Sequence, residues 1–176
     1  GWHARAGFFE YLAAAPDAGL ARLAQARAIG ETHGLVADEG ARVVFHHYRL
    51  LLALERDNAV AARQALTDIG AAAWRDRPMD RWGRAASRAE WALAFGDPRE
   101  ALACALASVP VARETGIVTM LVRSLMLVAM AATDCSEPAH VEASLAEVRR
   151  IVAGTCLEFL QCDAAILEAR ARVRFG

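Results

Sequence analysis

The sequence contains no lysine, and all 20 of its basic residues are arginine. The absence of lysine excludes a Schiff-base lysine and the lysine of a phosphate-binding P-loop. The charges nearly cancel, with a net charge of −1 and a sequence pI near 6.6. We therefore expect no global electrostatic attraction to nucleic acid or to an anionic membrane surface.

Cysteine is scarce, and its spacing does not indicate a metal site. The four cysteines form no CxxC pair, and Cys156 and Cys162 lie six residues apart. We interpret all four as free thiols in a reducing compartment, which predicts a cytoplasmic protein. Uncharged apolar runs of about 18 residues are also lacking, because the closest candidate, 117–132, contains Arg123. A membrane-spanning helix is therefore not expected.

What the sequence does contain is alanine, at 41 of its 176 positions. Strand-like alternation of apolar and polar residues is rare. Five prolines and a few glycines interrupt long runs with helical periodicity. This composition predicts an all-α fold.

The stretch Ala94–Leu106 is typical of a helical hairpin. An apolar run ends at Phe95, and Gly96 and Asp97 then form a tight break before Pro98. Glycine tolerates the left-handed backbone common at helix ends, and aspartate is a good N-cap. Proline suits the first helical position because its missing N–H has no partner there.

The same turn recurs about every 40 residues. Asp97 is matched by Asp57 and Asp17 in one direction and by Glu137 in the other. A fixed period of this length indicates stacked repeats. We predict an α-solenoid of antiparallel helix hairpins with about nine helices, in which both chain ends are cuts inside a longer array. The predicted segments of this single domain are hairpins at 1–34, 35–74, 78–116 and 117–154 and a lone helix at 155–175.

The unit resembles the tetratricopeptide repeat, lengthened from about 34 residues. That family pairs a small residue in the first helix with an alanine twelve residues later, and Ala89 with Ala101 fits this pattern. The first two units depart from it, with Phe9 and Arg49 at the small position. Alanine-, leucine- and arginine-rich units with such turns also resemble the helical-repeat domain of large LuxR-type bacterial transcription regulators similar to the maltose regulator.

This resemblance implies a binding role for the chain. An ATPase module would precede such repeats and a DNA-reading module would follow them. The first helices of successive hairpins would line a concave groove, in which methionine suits varied apolar partners. Core packing is the alternative interpretation of Met126 and Met130. The groove positions implied are His3, Glu10, Val43, His46, Leu50, Glu90, Arg123, Met126 and Met130.

Other candidate chemistry is weak. His46 and His47 are adjacent, so their side chains point about 100° apart on a helix and cannot ligate one metal ion from one face. We expect one of them to be buried and the other to face the groove. Glu10 and Glu90 lie on different hairpins, too far apart to act as a carboxylate pair on one bond. No cofactor, metal or catalytic group is predicted.

An arginine-rich segment allows two interpretations. Arg81, Arg84 and Arg88 share one helical stripe, which suits a phosphate or an acidic peptide, or else a solvated face with local ion pairs. Trp74 and Trp82 flank this segment. They are either aromatic anchors for a partner or the packing that fixes an irregular connection at 74–80.

The sequence thus predicts a binding module of a bacterial transcription or signalling regulator, with no enzymatic activity. It would sense a peptide, a small inducer or a partner domain in its groove, without touching nucleic acid or membrane, and could self-associate through its last helix. One alternative is a structural or oligomerisation scaffold without a ligand. A remote alternative is an all-helical enzyme with a polar pocket at His46, His47 and Glu10.

Overall fold

A computed structural model describes residues 16–33, 39–71, 77–153 and 158–176. These residues form eight α-helices and no strand, which confirms the all-α prediction for this part of the chain. The predicted first helix, 2–14, lies outside the described residues. The helices are α1 (Pro16–Thr32), α2 (Glu39–Glu55), α3 (Ala59–Ala71), α4 (Pro78–Phe95), α5 (Pro98–Thr115), α6 (Val118–Asp134), α7 (Pro138–Val152) and α8 (Glu158–Phe175).

Sequential helices pack in antiparallel fashion, as α2 does with α3 and α6 with α7. α6 also packs against α5, and α8 contacts both α6 and α7. The last helix therefore has two neighbours. The chain divides into two compact units, Gly1–Gly83 and Arg84–Gly176, called here the N-terminal and the C-terminal unit.

The helix spacing carries the 40-residue period. Four helices, α2, α4, α6 and α8, begin at residues 39, 78, 118 and 158, in steps of 39, 40 and 40 residues. These are called first helices below. The second helices α1, α3, α5 and α7 begin at 16, 59, 98 and 138. The period predicted from the turns is thus present in the secondary structure, and assembly of the hairpins into a solenoid stays a prediction.

Two of the predicted turns have the expected form. Asp97 is the N-cap of α5, and its side chain accepts a hydrogen bond of 2.9 Å from the backbone N–H of Arg99. Glu137 is the N-cap of α7 without a side-chain bond to the helix. Both precede a proline in the first turn of the helix, which removes one unsatisfied N–H from the helix start.

The two earlier turns differ from the prediction. Asn58, not Asp57, caps α3, because its side chain accepts a 3.0 Å bond from the N–H of Ala61. Asp17 lies inside the first turn of α1, after Pro16, rather than before the helix. An acidic residue in the first turn still interacts favourably with the positive end of the helix dipole.

The expectation that Gly96 adopts a left-handed backbone is wrong. Among the described residues, positive φ angles occur at Gly116 (69°), Asp57 (51°) and Ser136 (60°). Gly96 is needed for another reason, because a Cβ atom there would lie 2.8 Å from the Cα of Ala92. Glycine at this turn therefore permits a close approach of the chain to the preceding helix.

The irregular connection is shorter than predicted. α4 begins at Pro78, not at Arg81, because proline at the first helical position starts a helix well. Within the first turn of α4, Arg77 donates a 2.9 Å bond from Nε to the buried carboxylate of Asp80. This contact replaces the loop expected at 77–80.

Small residues allow close packing within the C-terminal unit. Ala89 on α4 and Ala101 on α5, the predicted pair, are both fully buried. Around α6 a core of larger side chains forms, with partly buried hydrophobic residues against it. Its buried members are Val122, Leu125, Met126, Val148, Val152 and Ala164. In the N-terminal unit, the buried side chains include Leu50, Ala62, Ala65 and Ile69.

None of the helices in the described ranges combines the length and the hydrophobicity required to cross a bilayer.

Replacing Ala101 with leucine should destabilise the C-terminal unit. The added atoms have no space at a fully buried position, so Ala101→Leu is expected to cost about 1–3 kcal/mol in urea denaturation. Ala103→Leu is the matched control, because Ala103 lies on the same helix but is exposed. Equal stability of the two variants would contradict the packing described for Ala101.

Candidate functional site

The middle of α6 presents a half-exposed stripe in the C-terminal unit. Arg123, Met130 and Asp134 are spaced i, i+7 and i+11, which places them within about 20° of one another around the helix. Arg123 and Met130 are partly buried, and Asp134 is exposed. The residues between them on other faces of α6 form the core, so this stripe is the part of α6 that remains near solvent.

An ion pair joins this stripe to α4. Arg123 donates from Nε and from Nη2 to Oε1 of Glu90, at 2.9 and 2.8 Å. Glu90 is only 3% exposed, whereas 41% of the Arg123 side chain is exposed. A buried carboxylate is costly without a charged partner, so Arg123 is held in place by Glu90.

A second ion pair joins the stripe to α8. Arg170 donates from Nη2 to Oδ1 of Asp134 at 2.7 Å. Next to this pair lies an open depression of about 470 Å³ between the ends of α6 and α8. It is lined by Thr133, Asp134, Arg170, Val173 and Arg174.

Three first helices thus contribute to one surface, which we call the first-helix face. It consists of Glu90, Arg123, Met130, Asp134 and Arg170. A methionine lies on it between two ion pairs. Such a surface offers guanidinium donors, a carboxylate acceptor and an adaptable apolar side chain, a combination suited to binding a peptide.

The N-terminal unit has a separate polar cluster on α2 and α3. Asp68 accepts a bond from Arg49 Nη1 and another from Gln64 Nε2, both at 2.9 Å. His46 Nδ1 lies 3.6 Å from Asp68 Oδ2 and 3.4 Å from Arg49 Nη1. Because a guanidinium can only donate, that last contact is satisfied when His46 Nδ1 carries no proton.

These contacts determine the acidity of Asp68. Burial by itself acts to raise its pKa, but the hydrogen bonds from Gln64 and Arg49 and the charges of His46 and Arg49 outweigh that effect. The pKa of Asp68 consequently lies below its ordinary value of 3.8. At neutral pH, Asp68 is therefore ionised and tied to α2.

His46 and His47 diverge as expected, but neither is fully buried. His46 faces Asp68 on α3, whereas the His47 ring lies 5.7 Å from the ring of Trp82. The expectation of one buried and one groove-facing histidine is therefore wrong. Trp82 is buried, which supports the packing interpretation of this residue, and Trp74 lies outside the described residues.

The predicted groove positions fall into three groups. Glu90, Arg123 and Met130 lie together on the first-helix face. Leu50 and Met126 are buried among core side chains, so for Met126 the packing interpretation holds. His3 and Glu10 lie outside the described residues, as does the side chain of Val43.

Sequence reasoning missed Asp134 and Arg170. Arg170 follows Met130 by 40 residues and Glu90 by 80, so one further step of the same repeat would have found it. Asp134 had no such signal, because the equivalent residue in the preceding hairpin is Ala94.

The arginine-rich stripe contains ion pairs in the structure. Arg88 pairs with Glu100 at 3.3 Å, and both side chains are largely exposed. Together with the Arg77–Asp80 pair, this favours the interpretation of a solvated face over that of a phosphate site.

Among the described residues, no three His, Cys, Asp or Glu side chains come close enough to hold a metal ion. Cys104, Cys135 and Cys162 are free thiols, and Cys156 is not described. Burial raises the pKa of the Cys104 and Cys135 thiols, which makes both less reactive at neutral pH.

Comparisons with protein families, with curated proteins and with solved structures find no match for this chain.

Breaking the Arg123–Glu90 pair should be costly. Arg123→Met leaves a buried carboxylate without this charged partner and is expected to lower the free energy of unfolding by about 1–3 kcal/mol. In a double-mutant cycle with Glu90→Gln, the coupling energy should exceed about 1 kcal/mol. The Arg113–Glu147 pair, at 2.7 Å but more exposed, is the matched control. Its coupling should be smaller, and an equal or larger value would contradict the role assigned to burial.

The Asp68 cluster should make stability depend on acid pH. A lowered pKa in the folded state contributes stability that is present above the unfolded pKa and is lost as pH falls through the folded pKa. We expect Asp68→Asn to cost about 0.5–1.5 kcal/mol at neutral pH and progressively less from about pH 5 to about pH 2. Urea denaturation across this range measures the difference. A cost that does not change with pH would show that packing, not charge, is lost.

Proposed function

We propose that this chain is a non-catalytic binding module of stacked helical hairpins that recognises a peptide segment of a partner protein. The observation that carries the proposal is the first-helix face, on which three helices spaced by 40 residues present Met130 between two ion pairs. The regular helix spacing supports the stacking, because repeat proteins present equivalent positions of successive units on one surface.

The chemistry of the face favours a peptide as ligand. The side chains of Arg123 and Arg170 are about half exposed, so each guanidinium has donors directed away from its carboxylate. Peptide carbonyls and acidic side chains are their natural acceptors. Met130 adds an adaptable apolar contact, which tolerates partners of varied sequence.

The setting proposed for this module is a bacterial transcription or signalling regulator in the cytoplasm. The Gly96-Asp97 turn and the alanine-rich repeat units support this setting by resemblance. Binding on the first-helix face would then be relayed to ATPase or DNA-binding modules outside this chain, and the module itself would not contact nucleic acid.

The proposal can be tested by selecting peptides from a displayed random library on the purified chain. We expect selected peptides to bind with a Kd on the order of 1–100 μM, because a single open surface of this size supports only modest affinity. Met130→Gln should weaken binding about tenfold or more, which titration calorimetry measures directly.

Leu106→Gln is the matched control, because Leu106 is a partly exposed apolar residue on the second helix α5. It should leave peptide affinity within about twofold. Recovery of no peptides, or equal weakening by both variants, would overturn the proposal and favour the alternative of a scaffold without a ligand.

A further inference from the structure

The outward face of α8 carries an apolar stripe that the chain does not cover. Ile166 and Val173 are 66% and 90% exposed. The opposite face of α8 packs on the C-terminal unit through the buried residues Ala164 and Ala171. The residues that form this outer stripe are spaced by 4, 3 and 4, and they are Cys162, Ile166, Ala169 and Val173.

The repeat shows that this face is normally a buried one. Forty residues earlier, α6 carries equivalent residues of which none is more than 5% exposed. They are Val122, Met126, Ala129 and Thr133. On α6 these positions are buried within a unit in which α5, α7 and α8 all contact that helix. The outer stripe of α8 has kept apolar or small side chains at positions that solvent now reaches.

The orientation of the outer stripe is fixed by contacts on the other sides of α8. Arg170 pairs with Asp134 on α6, and Glu168 lies 3.4 Å from Arg149 on α7. These bonds and the buried alanines prevent α8 from rotating its apolar stripe inward. Burial of the stripe therefore requires a second molecule.

We propose that a second copy of this chain covers the outer stripe, with the two α8 helices packed antiparallel. The charges of α8 select this occupant. Asp163 lies in the first half of the helix, whereas Arg170, Arg172 and Arg174 lie in the second half. Two antiparallel copies place the acidic half of each helix against the basic half of the other, which is favourable.

The register follows from two-fold symmetry. An antiparallel pair matches Ile166 of one copy with Ala169 of the other, and Cys162 with Val173. On the flank of this contact, Asp163 of each copy faces Arg170 of the other. A parallel pair would instead bring Arg170 close to Arg172 of the second copy, and like charges in contact are unfavourable.

The interface is short, since the 18 residues of α8 span about 27 Å. Two helices of this length bury an area at the low end for specific complexes. The dimer is therefore expected to be weak, with a Kd on the order of 10 μM.

Sedimentation velocity of the full chain from about 1 to about 500 μM tests this proposal. The parent should pass from monomer to dimer, and Val173→Asp should raise the dimer Kd by about tenfold or more. Val60→Asp is the matched control, because Val60 is equally exposed, at 82%, on α3. It should leave the Kd unchanged. A parent that stays monomeric, or a dimer that Val173→Asp does not weaken, overturns the proposal.

Asp163→Arg provides a second variant that leaves the apolar stripe intact. It should weaken the dimer while thermal melting of the monomer stays unchanged, since Asp163 is exposed. An effect on melting together with an unchanged Kd would contradict the charge pairing.

Cross-linking tests the direction of the helices. With alanine at Cys104, Cys135 and Cys156, Val173→Cys should form a disulfide-linked dimer through Cys162 of the second copy under mild oxidation. The same background without Val173→Cys should link poorly. Efficient linking through Cys162 alone would show a parallel pair and overturn the antiparallel arrangement.

Discussion

The burial of α6 is the constraint on which the C-terminal unit depends. From Ser124 to Ala129 every residue of this helix is buried, because α5, α7 and α8 all contact it. A helix enclosed in this way must be apolar around most of its circumference and must satisfy its few polar groups locally. Thr133 does so by donating a 2.7 Å bond to the carbonyl of Ala129. The position of the half-exposed stripe on α6 follows from what the core leaves uncovered.

Arginine–carboxylate pairs then link neighbouring helices within each unit. Most of them lie near the surface, where one pair contributes about 0–1 kcal/mol, so packing rather than charge holds the helices together. Their role is to select the angle and register at which apolar faces meet. The Arg123–Glu90 pair is different, because the buried Glu90 depends on its arginine partner. Pairs of this kind are Arg49–Asp68, Arg88–Glu100, Arg113–Glu147, Arg123–Glu90, Arg149–Glu168 and Arg170–Asp134.

The candidate site was predictable where repeat position decides contact. Glu90 and Arg123 were assigned to one face from their places in the repeat, and they form an ion pair in the structure. Met126 was assigned to the same face and is buried. One turn of helix separates it from Met130, and the repeat frame cannot resolve which of two such residues the neighbouring helices cover.

The sequence by itself determined the helical class, the 40-residue spacing of the helices and the second-helix starts at Pro98 and Pro138. These features are local, since capping, proline and helical periodicity act within a few residues. Tertiary structure alone decided that Gly96 serves a close approach, that His46 faces Asp68, and that the stripe on α6 is covered while its equivalent on α8 is open. Those outcomes depend on which helices lie alongside, and contacts between residues distant in the chain set that arrangement.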